Sequence, residues 1–559
     1  MLAIIFNSLL IVLLFTPFGL ILSNKNQKGL DYFSTQLLYG IVILSFIALS
    51  LNFFFPLNKL LNTLILILPI IFLIKRKGIY FRKEFFLFIT FSTIIILFLI
   101  YKSNVYRPDA GLYHLPYIKI LNEEKIIFGL SNLHFRYAHI SIIQYLAAIS
   151  NNLIFGEVGI VYAQALIASA VIINFSFKIY EYNKNQNYNF HFYYLFSCLI
   201  FIIYKMNRYS EYGNDAPSHF LFFFLISEIL NHKKDDLKGF LNNFILIAFI
   251  IFNKITLLMC LFLGLISIKN LNFKKIFFIK RTYFLLIFTL LWLAKNIIVS
   301  GCVLYPVKSL CFQNLIWTDI QKVEYVSKEN EAWTKGWPDY VRIKNKNQEN
   351  ILTKEIYLKD FNWVPYWLEV HFQKIINIIA PFILFLIILF FYIFFKKNSL
   401  NNFIKNKKYL SLISICFFAC IFWIIKVPVF RYGYSYLISL ICLLFAYTCI
   451  HVDFKNINTK LFNYFLVFLI TIFFVKNSLR IIKTDNEYFN QPWPKIYSMK
   501  NDNLLTKFKE NKINHKIILT PINGYCMYSK KICSQYQLEK KLEVKKVKNY
   551  DIFFLKKNN

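Results

Sequence analysis

Apolar runs of about 20 residues, some shorter, recur from residue 2 to residue 477, and a chain built this way is most easily solvated by a bilayer. They fall near 2–22, 34–54, 57–74, 85–101, 157–177, 192–206, 217–231, 239–268, 282–300, 372–396, 409–426, 432–450 and 461–477. The run 239–268 is too long for one crossing and is broken by Phe252-Asn253-Lys254, so it reads as two short helices meeting at a tip. That makes about fourteen spans. No Lys or Arg precedes the run 2–22, and no small-residue cleavage site follows it, which predicts a retained helix rather than a signal peptide. With 57% hydrophobic and 19% aromatic residues among 559, the chain carries more apolar surface than a soluble core of its size can hide.

The net charge of +35 would point to nucleic acid in a soluble protein. Here the positives cluster between apolar runs, no stacking RNA-binding signature accompanies them, and nucleic acid is not an expected partner. Segments 75–83, 269–281 and 396–408 carry five Lys or Arg each, which predicts that they are cytoplasmic. The alternate loops, 102–137, 207–216, 301–371, the turn before Arg431 and the tail from Ser478, are then expected outside. Counting Ile140–Phe155 as a crossing would break this alternation, so it and Leu112–Lys125 are expected to be amphipathic elements on the outer membrane surface. The fold class expected is an all-α polytopic membrane protein over 1–477. A small α/β extramembrane domain over 478–559, with strands at Lys516–Pro521 and Asp551–Leu555, is expected to follow it.

Six of the ten cysteines lie in apolar spans. The other four form two close pairs, Cys302 with Cys311 and Cys526 with Cys533, both in segments the charge rule puts outside, where disulfides persist. A zinc site made of all four is the rival reading, although neither pair has the tight spacing of a zinc knuckle.

Ionisable side chains near hydrocarbon are costly and mark functional sites by default. The stretch 107–139 gathers Asp109, His114, Glu123, Glu124, His134, Arg136 and His139. Asp109 is placed to act as a general base toward a hydroxyl, or else as a helix cap. The second outer loop carries Glu211 and Asp215; Asp215 before Ala216-Pro217 is also a fair helix start. Together with His114 and His134 these are candidate acceptor or metal ligands, and a divalent cation (Mg or Mn) at Asp109, Glu211 and Asp215 is one arrangement they allow. Lys254, Lys295 and Arg431 are positives that the charge rule does not place. They suit a lipid-linked phosphate, or they snorkel to ordinary lipid headgroups. In the loop 301–371, Trp363 and Trp367 read as interface anchors, whereas Trp333 and Trp337, four apart, offer a sugar-stacking face. No Walker A, GxGxxG or GxSxG sequence is present, which argues against nucleotide-driven or serine-hydrolase chemistry.

The stretches PDAGLYHLPYIK, EYGNDAPSH, KNIIVSGCVLYP and EAWTKGWPD, with an acidic early outer loop, a second acidic loop and a short hairpin bearing Lys254, resemble the polytopic GT-C glycosyltransferases and, within them, a group of bacterial envelope proteins. The resemblance implies inverting transfer of a sugar from a polyprenyl-phosphate donor to an envelope glycan, lipid or protein acceptor at the periplasmic side of the bacterial inner membrane. It implies Asp109 as base, Glu211 and Asp215 at a second acidic site, and Lys254 and Arg431 on the donor phosphate. The chain departs from the simplest pattern in placing four spans before the acidic loop instead of one. A metal-independent glycan polymerase or ligase, and a flippase or transporter of lipid-linked sugars, are the other readings.

Overall fold

The computed structural model describes residues 2–23, 29–101, 109–139, 141–206, 213–232, 236–266, 273–395, 399–400, 406–450, 452–453, 459–483 and 507–556. Every apolar run becomes helical: α1 (Leu2–Phe15), α2 (Leu30–Asn52), α3 (Lys59–Lys75), α4 (Lys83–Ile100), then α5 (Leu115–Glu123), within the loop 102–137, and α6 (Ile143–Ser150). There follow α7 (Tyr162–Lys184), α8 (Phe190–Lys205), α9 (Asp215–Asn231), α10 (Leu237–Asn253), α11 (Cys260–Leu265) and α12 (Lys280–Ser300). The second half adds α13 (Ile320–Thr334), α14 (Trp337–Lys346), α15 (Trp363–Phe395), α16 (Lys407–Lys426), α17 (Tyr434–Cys449) and α18 (Thr459–Lys483). Among the described residues nine helices are long and apolar enough to cross a membrane, the make-up of a multi-pass membrane protein; α8 and α10 are shorter apolar helices.

Local signals set several boundaries. Asn189 and Asp236 accept the Phe192 and Gly239 amides at 2.9 and 3.0 Å, satisfying free donors at the starts of α8 and α10. Gly301, at φ +77°, ends α12 in the left-handed region. The segment Glu157–Lys184 is the centre of the bundle, with 94% of its most apolar window buried, against 11% for Trp363–Phe391 and 22% for Phe462–Lys483 on the rim. The central helix α7 is rich in Ala and Ser (Ala163, Ala165, Ala168, Ser169, Ala170), and all five are buried, as close helix packing without a hydrophobic driving force requires. The rim instead exposes Leu384, Ile388, Phe418, Val467 and Phe468, an apolar surface that lipid would cover.

The run 239–268 folds as expected of a hairpin: α10 ends at Asn253, the chain turns at Lys254, and α11 packs back so closely that a Cβ on Gly264 would meet Phe244 and Ile247. The two ends of the bundle are distinct. Arg281 and Lys408, from two of the basic segments, donate to Leu22 O and Leu230 O at one end of α9, at 2.5 and 3.2 Å; Asp215 and the hairpin tip lie at the other.

The first outer loop departs from expectation. All eight residues of α6 are buried, so it does not lie amphipathically on a surface; it is covered on both sides. Asn62 and Asn122 donate to Ala148 O (3.0 Å each), and Asn151 donates to the Tyr528 hydroxyl (2.8 Å) from the tail. Beyond the end of α18, described residues of the tail form two antiparallel hairpins and no helix, so its fold there is β rather than α/β: β1 (Phe508–Ile513) with β2 (Lys516–Pro521), and β3 (Leu542–Val547) with β4 (Tyr550–Leu555). They clasp loop one. Lys516 bridges Glu124 (2.6 Å) and Asp551 (2.9 Å), Tyr137 donates to Cys533 O (2.5 Å), and Met527 N donates to Gly111 O (2.9 Å).

Candidate functional site

Four segments far apart in sequence meet at one cluster of charge. Asp109 opens a π-helical turn, Ala110–His114, that leads into α5. Its side chain makes no capping hydrogen bond, and Oδ2 lies 3.9 Å from Arg431 Nη2. Asp215 begins α9, where the helix dipole favours a carboxylate. Asn214 and Asn253 exchange amide-to-carbonyl bonds at 2.7 and 3.1 Å, and Asn253 also donates to Ser218 Oγ at 2.7 Å. This lashes loop two to the hairpin tip and delivers Lys254 to Asp215, which pairs with it through Oδ1. Arg431 Nε stands 3.0 Å from Asp215 Oδ2. The Lys254 ammonium also sits 3.3 Å from the centre of the Tyr432 ring. Burial pulls Lys254 down to about 8 against the attraction of Asp215.

Beside the cluster lies a cleft of about 290 Å³, between loop one, the hairpin tip, α12 and the long outer loop. Its walls include Tyr113, His114, Arg136, His139, Lys254, Trp292, Tyr305, Trp333 and Tyr432, with the amides of Asn214, Asn253, Asn296 and Asn330; no carboxylate lines it among the described residues. Asp109 borders it through its neighbours Tyr113 and His114. His114 is buried, and burial lowers its imidazole to about 4 despite the nearby Asp109 and Asp215, so it is neutral near pH 7. With the Gln144 amide as donor to Nδ1 (2.6 Å), its proton is on Nε2. Burial likewise raises the Tyr113 phenol. Both cysteine pairs are at disulfide distance, Cys302–Cys311 at 2.01 Å and Cys526–Cys533 at 1.92 Å. The first closes the turn that carries Tyr305 into the cleft wall.

Other sequence candidates land elsewhere. Lys295 is fully buried beneath the cleft, 4.0 Å from the centre of the Trp292 ring and bonded to Asn296 Oδ1 at 3.0 Å. His134 does not reach the cleft. Its ring stacks on Phe135 and on Tyr536 of the tail, Nδ1 accepts the Arg136 amide at 3.1 Å, and burial lowers it to about 3. Glu211 lies outside the described residues. Asp109 and Asp215 both turn to Arg431, and no group of three or more His, Cys, Asp or Glu able to hold a metal ion forms among the described residues.

The two tryptophans read as one stacking face are separated, because the helix breaks at Gly336 (φ +88°) between them. Trp333 lines the cleft, while Trp337 packs on Tyr340 and Tyr357. Trp363 and Trp367 belong to that same aromatic core, 1% and 6% exposed, and are not membrane-interface anchors. Arg136, Trp292, Tyr305 and Tyr432 are cleft residues to which the sequence assigned no role.

The profile of DUF8201, a domain of unknown function, matches residues 1–438. The chain belongs to the DUF8201 family. The matched DUF8201 region holds all four members of the charge cluster and every cleft residue, whereas the tail hairpins lie beyond it. No curated protein and no solved structure matches the chain.

Proposed function

We propose that this protein is a membrane glycosyltransferase that moves a sugar from a polyprenyl-phosphate donor to an envelope acceptor, inverting at the anomeric carbon. In this reading the chain crosses the bacterial inner membrane about fourteen times with its site on the periplasmic side. The observation that carries it is the convergence of Asp109, Asp215, Lys254 and Arg431, from four separate segments, beside a cleft walled by cations, amides and aromatic rings. Asp109, free of a capping role, takes the proton of the acceptor hydroxyl as its oxygen attacks the anomeric carbon. The sugar–phosphate bond breaks, its electron pair leaves on the phosphate, and Lys254, Lys295 and Arg431 offset the charge released there.

A second reading, a polymerase or ligase that needs no metal, is favoured by Arg431 occupying both Asp109 and Asp215, and by a lining without carboxylates among the described residues. The test is the full chain in lipid nanodiscs, given polyprenyl-phosphate sugars and an envelope acceptor fraction. Acceptor-dependent release of polyprenyl phosphate is expected. Translocation of intact lipid-linked sugar without bond cleavage would replace the transferase with a transporter. Loss of turnover in EDTA, restored by Mg or Mn, would put a divalent cation at Asp109, Asp215 and Glu211 and remove the metal-independent reading.

A further inference from the structure

Among the described side chains that line the cleft or form the charge cluster beside it, a charge inventory leaves one cation over. Asp109 and Asp215 stand against Lys254 and Arg431, two carboxylates against two cations, linked in a chain of ion pairs from Lys254 through Asp215 and Arg431 to Asp109. That cluster is already balanced. Across the cleft, Arg136 has no carboxylate partner among the described residues. Its guanidinium lies over Tyr113 and Phe135, 5.0 and 5.5 Å from the ring centres, and its Nε is buried without a hydrogen-bond partner. A buried guanidinium donor left unmade costs free energy that a ligand atom can return. The wall it faces has amides, rings and Lys254, and among the described residues no carboxylate to compete.

We infer that Arg136 is the anion-recognition residue of the cleft, and that the ligand bound there carries an oxyanion, phosphate or carboxylate, which the Arg136 guanidinium receives while Lys254 and Arg431 keep their protein partners. Planar two-point donation to phosphate or carboxylate is what a guanidinium offers and an ammonium does not. The flanking rings hold its plane. The inference deepens the donor-binding reading above, and its oxyanion has two sources, the lipid phosphate of a donor or an acidic group on a sugar.

The experiment is a binding titration of the full chain in nanodiscs, read by tryptophan fluorescence, since Trp292 and Trp333 line the cleft. The probes are polyprenyl phosphate against the matching polyprenol, and glucuronate against glucose. At least one anionic probe is expected to bind more tightly than its neutral partner, with Arg136→Ala weakening that probe about 10-fold or more and Arg136→Lys recovering only part of it. If Arg136→Ala does not yield folded protein, Arg136→Lys and the wild-type anionic-against-neutral difference decide alone. Preference for glucuronate with none for polyprenyl phosphate upholds Arg136 and breaks the lipid-donor reading. Equal binding of charged and neutral probes, no binding of any, or full affinity in Arg136→Ala overturns the inference.

Discussion

Both ends of the helical bundle bury ion pairs, yet they are built differently. At the end of α9 away from the cleft, Lys178 and Glu228 pair at 2.9 Å, and His191 bridges the Tyr182 hydroxyl and Ser227 Oγ at 2.9 and 2.8 Å. Each of those groups has its partner inside the protein, and none lines the cleft. At the other end the side chains of Asp109, Asp215 and Arg431 remain 26–39% exposed, space lies beside them, and Arg136 is uncompensated. Buried charge is therefore common to a brace and to a site; the cleft beside the charges separates the two.

The sharpest way to break that contrast is to remove one carboxylate from each end. Glu228→Gln strands the ammonium of Lys178 and is expected to cost about 3 kcal/mol of stability in thermal melts, with turnover per folded molecule unchanged. A catalytic loss out of proportion to the melt would make the far end a site as well. Asp109→Asn is the mirror case. Turnover is expected to fall roughly 10²-fold while the melt stays near wild type, because its side chain caps nothing. Full activity in that variant, at normal protein level, would move the base to Asp215 or Glu211.

A smaller effect is expected from pH. The folded His114 imidazole titrates near 4 and the unfolded one near 6.5, so the unfolded chain binds more protons between those values. Stability attributable to it is intact above about 6.5 and falls as pH drops through that window, by about 2 kcal/mol at pH 5. Melts of His114→Gln should show a shallower acid slope; an unchanged slope would leave the acid sensitivity to His134 and other groups. The mildest test is Gly111→Ala. An added Cβ would crowd Met527 and come within 2.9 Å of Tyr525 Cβ, loosening the clasp of the tail at a cost of about 1 kcal/mol. Protection of the loop-one amides from hydrogen exchange should drop with it, and unchanged protection would show that the tail does not hold the turn.

Much of the site could be read from the sequence because ionisable residues stand out in an apolar chain. Asp109, Asp215, Lys254 and Arg431 were each conspicuous alone, and loop alternation put the segments of Asp109 and Asp215 and the turn before Arg431 on one side. Arg136 was as visible but indistinguishable from its neighbours, since what sets it apart is the lack of a partner, a property only of the folded chain. Hydropathy likewise failed for Trp363 and Trp367, because an aromatic side chain has the same pattern whether it meets lipid or the rings of Tyr340 and Tyr357. The break between Trp333 and Trp337 was written in Gly336, whose left-handed backbone defeats helical spacing. The all-round burial of α6 depended on α2, α3, α5 and α7 closing around it, and on Tyr528 of the tail bonding Asn151 at its end across 377 residues, beyond the reach of any local periodicity.

That clasp sets a clock on the protein. Asn132, in loop one, donates to Phe553 O across 421 residues, and Gly111, two positions from Asp109, is gripped by Met527. A ribosome making this chain finishes the loop long before it makes the hairpins that pin it. Until Tyr525 and Met527 are made, the turn bearing Asp109 lacks the contacts that hold Gly111, so a nascent chain that stops short of them would not yet fix Asp109 where the proposed transfer needs it.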